Sequence, residues 1–393
     1  MALTYTTAGE SHGKAVVATL FGLPAGHALD LTHINSQLAR RQQGYGRGGR
    51  MKIEKDICDP LSGLRRGLTL GSPLTLCIFN QDARVDKAPP VTNVRPGHAD
   101  LAGVLKIGSQ DARDVLERAS ARETAARVMA GAACQSLLAE FGIHVTAHVL
   151  SIGGIDASMA MSRGYAKIVT DRAAAVKERD MSELFTLENS LDSQIKALID
   201  DAKASGDTLG GVIEVVATNL PPGLGSPNTL ETRLDARLGA ALLGIQAMKA
   251  VELGLGCEAA RRRGSQVHDP VVTRKRPEKS NNPTPYGRSS NNAGGIEGGI
   301  SNGEPLVLRV HMKPISTLMN PLATVDVSTG KAAAANQERS DVCAVPAAAI
   351  VIECAVAFVV AQALLEKTGG DSLEEVRRNL AGYCESLRRY PPA

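Results

Sequence analysis

The sequence has 393 residues and a net charge of +3, enough chain for one large or two ordinary domains with a substantial core. Hydrophobic residues at 43% and charged residues at 22% are those of an ordinary globular protein. The weak net charge excludes a general polyanion binder, and aromatics at 3% with no tryptophan leave few platforms on which bases could stack.

Seven cysteines without a C-x-x-C pair argue against a disulfide framework or a zinc site and for a reducing cytoplasm. The opening "MALTYTTAGESHGK" has neither the basic start nor the apolar run of a signal peptide.

In chain order, "AVVATLF" (residues 15–21) reads as a strand, followed by a helix over about 32–42 with Thr32 as N-cap. "MKIEKDIC" (51–58) alternates apolar and charged residues as a strand would, and "GSPLTLCIF" (71–79) is a further strand. A helix over about 121–140 opens on Ser120 and Glu123 in the S-x-x-E spacing of a capping box. "HVTAHVLSIGG" returns to a strand, and the polar residues 156–205 read as helical and peripheral.

The plan then restarts. "VIEVVATNLPPG" (212–223) echoes "VVATLFGLPAG" (16–26), and Leu234, Leu238, Leu242, Ile245 and Met248 follow at helical spacing. "GLTLGSPLTL" (67–76) and "GISNGEPLVL" (299–308) share G-x-[ST]-x-G-x-P-L-x-L. The expected fold is α/β, with two pseudo-symmetric halves at about 1–155 and 206–367 in one domain. Residues 257–293, rich in Arg, Pro, Asn and Ser, read as a long mobile loop, either plain surface or a lid. "VPAAAIVIECAVAFVVAQALLEK" (345–367) has the length of a membrane span. Glu353 near its middle and Pro346 in its first turn instead predict a helix buried in protein.

"RRQQGYGRGGRM" (40–51) carries Gly44, Gly46 and Gly49 as G-x-G-x-x-G amid four arginines. A dinucleotide fingerprint must follow a strand and open a helix; here a helix precedes and a strand follows. The loop also occurs once, unlike a repetitive RGG tail. The readings left are a solvated basic loop and a cluster of guanidiniums for a small anion, which Arg binds bidentately. "RPGHAD" (95–100), "ERASARETAAR" (117–127), "MKPIST" (312–317) and "ERSDV" (338–342) add further cations and a helix start, the usual makings of an anion site. His12 and His98 lie in glycine-flanked turns near charge, where an imidazole serves as acid or base. There is no G-x-S-x-G, H-E-x-x-H or Walker loop. These residues describe a pocket for one or two multiply anionic small ligands, with no metal.

Together, "TAGESHG", "RRQQGYGRGGRM", "RPGHAD", "RASARETAARV", "GDTLGG", "SNNAGGIEGGISNGEPL", "MKPIST" and "RSDVCAVPAA" resemble the chorismate synthase family, in family order from residue 7 to about 350. The resemblance implies a β-α-β sandwich and 1,4-elimination of phosphate from 5-enolpyruvylshikimate 3-phosphate, giving chorismate in the shikimate pathway. It implies reduced FMN as cofactor without net redox change, the flavin lending an electron and recovering it as hydrogen leaves carbon 6. It also implies a cytoplasmic homotetramer acting on a small molecule rather than on nucleic acid or membrane; some members reduce their own flavin with NAD(P)H.

By the same resemblance, Arg41, Arg47, Arg50, Arg122 and Arg339 would hold substrate. Arg118, Ala119, Ser120, Gln246, Ala247, Gly298, Arg339 and Lys313, Pro314, Ile315, Ser316 and Thr317 would hold FMN. His12 would protonate the leaving phosphate, His98 would manage charge at the flavin's pyrimidine end, and Asp341 would work with flavin N5. Ser11 and Ser120 would support them by hydrogen bonds. The rival functions are a non-catalytic Arg-rich nucleic-acid binder and another flavin-dependent oxidoreductase.

Overall fold

A computed structural model of the chain describes residues 2–49, 54–156, 163–187, 189–277, 280–338 and 340–391, without the side chain of Arg163. Arg50 and Arg339, both expected in the substrate site, lie outside the described residues, as do residues 51–53 of the expected strand.

The first half runs β1 (Thr4–Ala8), β2 (Ala15–Phe21), α1 (Leu31–Gln42), β3 (Asp59–Ser62), a small hairpin β4 (Leu64–Arg65) and β5 (Leu68–Thr69), and β6 (Leu74–Phe79). Helices α2 (Asp100–Ile107), α3 (Arg113–Ala119) and α4 (Thr124–Ala139) follow. The second half runs β7 (His144–Ile152), β8 (Ile155–Asp156), α5 (Arg163–Thr170), α6 (Arg172–Met181), α7 (Asp192–Ser205), β9 (Gly211–Thr218), α8 (Leu234–Leu243) and β10 (Met248–Leu253). After α9 (Gly264–Val267) come β11 (Val271–Thr273), β12 (Tyr286–Arg288), a hairpin β13 (Ile296–Glu297) and β14 (Ile300–Ser301), and β15 (Leu306–Met312). The chain closes with β16 (Ala323–Val325), β17 (Ala332–Ala334), α10 (Val345–Thr368) and α11 (Leu373–Arg388).

Two antiparallel sheets carry the same order of pairings. One is β1-β2-β6-β3; the other is β7-β9-β15-β10 with β8 added beyond β7. In both, a helix follows the second strand (α1, α8), a two-stranded hairpin precedes the fourth (β4–β5, β13–β14), and a long helix comes after it (α4, α10). The shared Gly-Pro motif of the sequence is this hairpin and the start of β6 or β15.

Helix α4 packs on β1, β2 and β6, α10 packs on β7 and β9, and the two helices pack on each other between the sheets. Gly131 makes this approach feasible: a Cβ there would lie 2.3 Å from the carbonyl oxygen of Cys354 on α10. One hydrophobic core runs through both sheets and both helices. Helix α10 is long and apolar enough to cross a membrane, but 89% of its most apolar window is buried inside the protein. Its Glu353 accepts from Ala147 N of β7 (2.8 Å), Arg179 of α6 (2.9 Å), Gln135 of α4 (3.1 Å) and Arg40 of α1 (3.5 Å). Burial alone would push this carboxyl up; the two guanidiniums and the other donors reverse that and hold it below its ordinary value.

Several expectations need correcting. The N-cap of α1 is Asp30, whose side chain accepts from His33 N, not Thr32. Ser120 caps a 3-10 turn at Ala121–Glu123, and Glu123 does not complete a capping box. Instead it turns inward and accepts from Thr7, Arg127 and Gln246. Residues 54–58 form no strand: Glu54 and Asp56 are buried while Ile57 is exposed, the reverse of an amphipathic strand. Helix α8 ends at Leu243, so Ile245 lies in a turn and Met248 opens β10. Residues 163–205 are largely helical as expected, yet α6 sends the fully buried Arg179 into the core. Residues 256–293 hold a 3-10 turn (Gly256–Arg261), α9 and the antiparallel pair β11–β12, where a long loop over 257–293 is expected from the sequence.

Candidate active site

The loops and helix ends at one side of the sandwich enclose a cavity of about 560 Å³. Arg41, Arg47, Arg95, Arg122, Lys249 and Lys313 line it with His12 and His98, against the carboxylates of Glu338 and Asp341. Its apolar wall is Ala344 and the first turns of α10 (Ala347, Ala348, Val351) with Leu116, Met312 and Ile315.

The glycine-rich loop is explained by docking. Val342 N donates to Gly46 O (2.9 Å), and a Cβ on Gly48 would lie 2.6 Å from Ser340 O. Only so close an approach lets Gly48 N reach Asp341 Oδ1 (2.7 Å) and Arg47 Nη1 reach Asp341 Oδ2 (2.6 Å). Behind it, Asp56 joins the other two arginines: Arg122 Nη1 lies 2.6 Å from Oδ1 and Arg41 Nη1 3.3 Å from Oδ2. Asn80 takes two further bonds from Arg122, while Arg41 donates to Thr124 Oγ1 and Ala121 O. Burial pulls the Arg41 guanidinium down to about 10, opposed by Asp56; it stays charged at neutral pH. Rigidly held guanidiniums lose little freedom when an anion arrives.

His12, in the turn after β1, is buried and held by Glu117 of α3 at 3.0 and 3.1 Å from Nδ1, while its own backbone N donates to Glu117 Oε2 at 2.8 Å. Burial would raise the Glu117 carboxyl; the side-chain and backbone bonds of His12, with Arg113, instead hold it down to about 2. Ser120 Oγ lies 3.2 Å from Ser11 Oγ beside this turn. His98 stands just before α2 with Nδ1 2.5 Å from Oδ1 of the fully buried Asp100. Arg95 donates its Nε to Asp100 Oδ2 at 2.8 Å and Nη1 to Thr317 Oγ1 at 3.0 Å.

Beside His98, Lys313 Nζ donates to Gly97 O, and burial together with the neighbouring charge of Lys249 pushes its ammonium down. Two adjacent ammonium groups in a cavity are relieved by an anion between them. Gln246 donates to Glu123, but its Oε1 is buried without a hydrogen-bond partner, and Ala247 holds a positive φ of 69°. A buried orphan acceptor and a strained backbone mark a place where a ligand's N–H group would be satisfied.

The expected residues Ser11, His12, Arg41, Arg47, His98, Ala119, Ser120, Arg122, Gln246, Ala247, Lys313, Ile315, Ser316, Thr317 and Asp341 therefore converge on one cavity. Arg118, Pro314 and Gly298 do not line it. The Arg118 side chain turns out to Thr7 and Gly9, and Gly298 sits in the β13–β14 turn. No described residue of 257–293 lines it either. The sequence reading missed Arg95, Lys249 and the buried carboxylates Asp56, Asp100 and Glu117. Arg95 and Asp100 lay inside the quoted "RPGHAD", where the spacing of an Arg, a His and an Asp was the available signal.

The family model described as chorismate synthase matches residues 3–365 of the chain. The chain is 51% identical to the chorismate synthase of Pelobacter propionicus, covering 98% of this chain and 99% of that protein. It is 48% identical to that of Aquifex aeolicus, covering 99% of each. A solved crystal structure of chorismate synthase superposes with a TM-score of 0.80 at 42% identity, covering 99% of each chain.

Proposed function

The chain belongs to the chorismate synthase family, and from that premise we propose how its cavity binds its ligands and moves protons. The chain is a lyase of that family; the substrate pose, the cofactor and the residue roles are our reading. We infer that 5-enolpyruvylshikimate 3-phosphate, with one phosphate and two carboxylates, occupies the side of the cavity formed by Arg41, Arg47 and Arg122. The observation that carries this is the convergence of guanidiniums from α1, the glycine loop and the turn before α4 on one hollow.

A second group of lining residues fits FMN. Lys313 and Lys249 would hold its phosphate, Gln246 and Ala247 its polar ring edge, and the apolar wall of α10 and Ile315 its ring face. When bound in reduced form, FMN supplies the transient electron that makes loss of phosphate feasible. The protein's share is orientation and electrostatics. The arginines bind and orient the anionic substrate and exclude water from its charged groups. His12, when imidazolium, gives the proton on Nε2 to the departing phosphate oxygen. His98 balances negative charge across the cavity, and Asp341, fixed by Arg47 and Gly48, offers a carboxylate oxygen to the proton leaving carbon 6. Homotetrameric assembly, a cytoplasmic location and reduction of the flavin by NAD(P)H belong to the same proposal.

Phosphate release from the enolpyruvyl substrate is measured anaerobically with reduced and with oxidised FMN. Release with the reduced form, with chorismate as product at unchanged oxidation level, is expected. Absence of release with reduced FMN, or net oxidation of the substrate, overturns the reading.

A further inference from the structure

Two arrangements that line the cavity through a histidine share one plan. His98 Nδ1 meets Asp100 Oδ1 at 2.5 Å, and Asp100 is in turn held by Arg95 Nε at 2.8 Å and by Arg95 N at 3.1 Å. His12 Nδ1 meets Glu117 at 3.0 Å, and Glu117 is in turn held by Arg113 Nη1 at 2.9 Å. Neither carboxylate lines the cavity, whereas both histidines do. We propose that Asp100 and Glu117 are positioning residues that fix His98 and His12 with the proton on Nδ1, so that Nε2 is the atom each presents to the ligands.

A carboxylate can only accept, so the ring nitrogen against it must carry hydrogen. Arg95 Nη2 also lies 3.0 Å from His98 Nδ1, but it lies 3.1 Å from Asp100 Oδ1 as well. The two nitrogens are thus donors sharing one ionised oxygen, not a donor and an acceptor. Asp100 is held well below the ordinary carboxyl range, and Glu117 down to about 2, by these donors against the opposing effect of burial, so both are ionised at any working pH. Among the described residues, Nε2 of His98 has no protein partner, and Nε2 of His12 lies 3.9 Å from Asp82, beyond hydrogen-bond reach. The charged groups around His98 are Asp100 and Arg95, with Lys313 on Gly97 O beside it. Around His12 they are Glu117 with Arg113, and Asp82 with its partner Arg84.

The tautomer follows from this geometry alone. Its consequence for turnover rests on the function proposed above, and two measurements keep these apart. Histidine ¹⁵N spectra of the wild-type protein, with His98→Gln and His12→Gln as assignment controls, should show a protonated Nδ1 and an unprotonated Nε2 for both rings in their neutral forms. A neutral ring with bare Nδ1 overturns the proposal at that residue, whatever the activity.

In the loaded enzyme, Asp100→Asn should lower kcat about 10- to 100-fold while KM stays within about threefold. In Asp100→Asn the neutral His98 ring should lose its single Nδ1–H form and show hydrogen shared between both ring nitrogens, because an amide can donate to Nδ1 as well as accept from it. Asp100→Glu should restore the Nδ1–H form and most of kcat. A loss of kcat with the His98 tautomer unchanged would make Asp100 a strut and overturn the positioning role; if the variants fail to fold, the wild-type spectrum decides.

Discussion

Arg47 and Asp341, separated by 294 residues in sequence, pair at 2.6 Å at the wall of the cavity. The pair joins a residue proposed to bind substrate to one proposed to take a proton, so its two halves should fail differently. Arg47→Ala removes a charge-assisted contact worth about 1.5–3 kcal/mol, and KM for the substrate should rise about 10- to 100-fold with a smaller change in kcat. Asp341→Asn keeps the shape and removes the base, so kcat should fall about 10²–10⁴-fold with KM little changed. Steady-state kinetics of the two variants measure the split; an unchanged KM in Arg47→Ala would remove that residue from substrate binding.

Asp56 separates two buried cations that would otherwise repel. Replacing it with Ala leaves Arg41 and Arg122 without their shared counter-charge, and breaking a buried pair in this way costs about 3–5 kcal/mol. Urea unfolding should show a lower midpoint, and the released guanidiniums should bind substrate more weakly. A midpoint within experimental error of wild type would mean that Asn80, Thr124 and the Ala121 carbonyl suffice to hold both arginines.

Part of this site was legible in the sequence because Arg47, His12 and His98 sit beside glycines in loops and turns, whose chemistry is local, while Arg41 in α1 and Arg122 in its 3-10 turn were reached through the family motifs. The strand–helix restart was legible for a related reason: a buried strand and an apolar helix each show their period in a short window. What stayed hidden was which charge meets which. Glu54 and Asp56 occupy an alternating stretch that reads as an amphipathic strand. They turn inward because Arg122 and Arg41, brought in from other elements, offset the cost of burying them, and the exposed face falls to Ile57. Ser120 and Glu123 have capping-box spacing, but Glu123 finds better donors in Thr7, Arg127 and Gln246. Long-range ion pairs of this kind leave no periodic trace.

The α4–α10 contact makes a separate demand. Gly131→Ala adds a methyl where the Cys354 carbonyl oxygen would be 2.3 Å away, so the helices must part. Overpacking of this sort costs about 1–3 kcal/mol and outweighs the roughly 1 kcal/mol that Ala gains over Gly in helix propensity. The variant should therefore unfold at lower urea concentration. A more stable Gly131→Ala protein would show that the helices can separate without loss.

Acid should unfold the protein through its buried carboxylates. Glu117 titrates at about 2 in the folded chain against an ordinary 4.5, and Asp100 and Glu353 are displaced in the same direction. As pH falls below about 4.5 the unfolded chain takes up protons that the folded chain still refuses. The stability these groups confer is thus complete above their ordinary values and is lost as pH drops toward the folded ones. Each such group steepens the decline by up to about 1.4 kcal/mol per pH unit. Urea midpoints should hold between pH 7 and 6, then fall progressively between pH 5 and 3. Glu117→Gln should be less stable at pH 7 and lose stability less steeply below pH 5, because one linked proton is gone. An acid slope identical to wild type would mean that the His12–Glu117 pair is already broken before the protein unfolds.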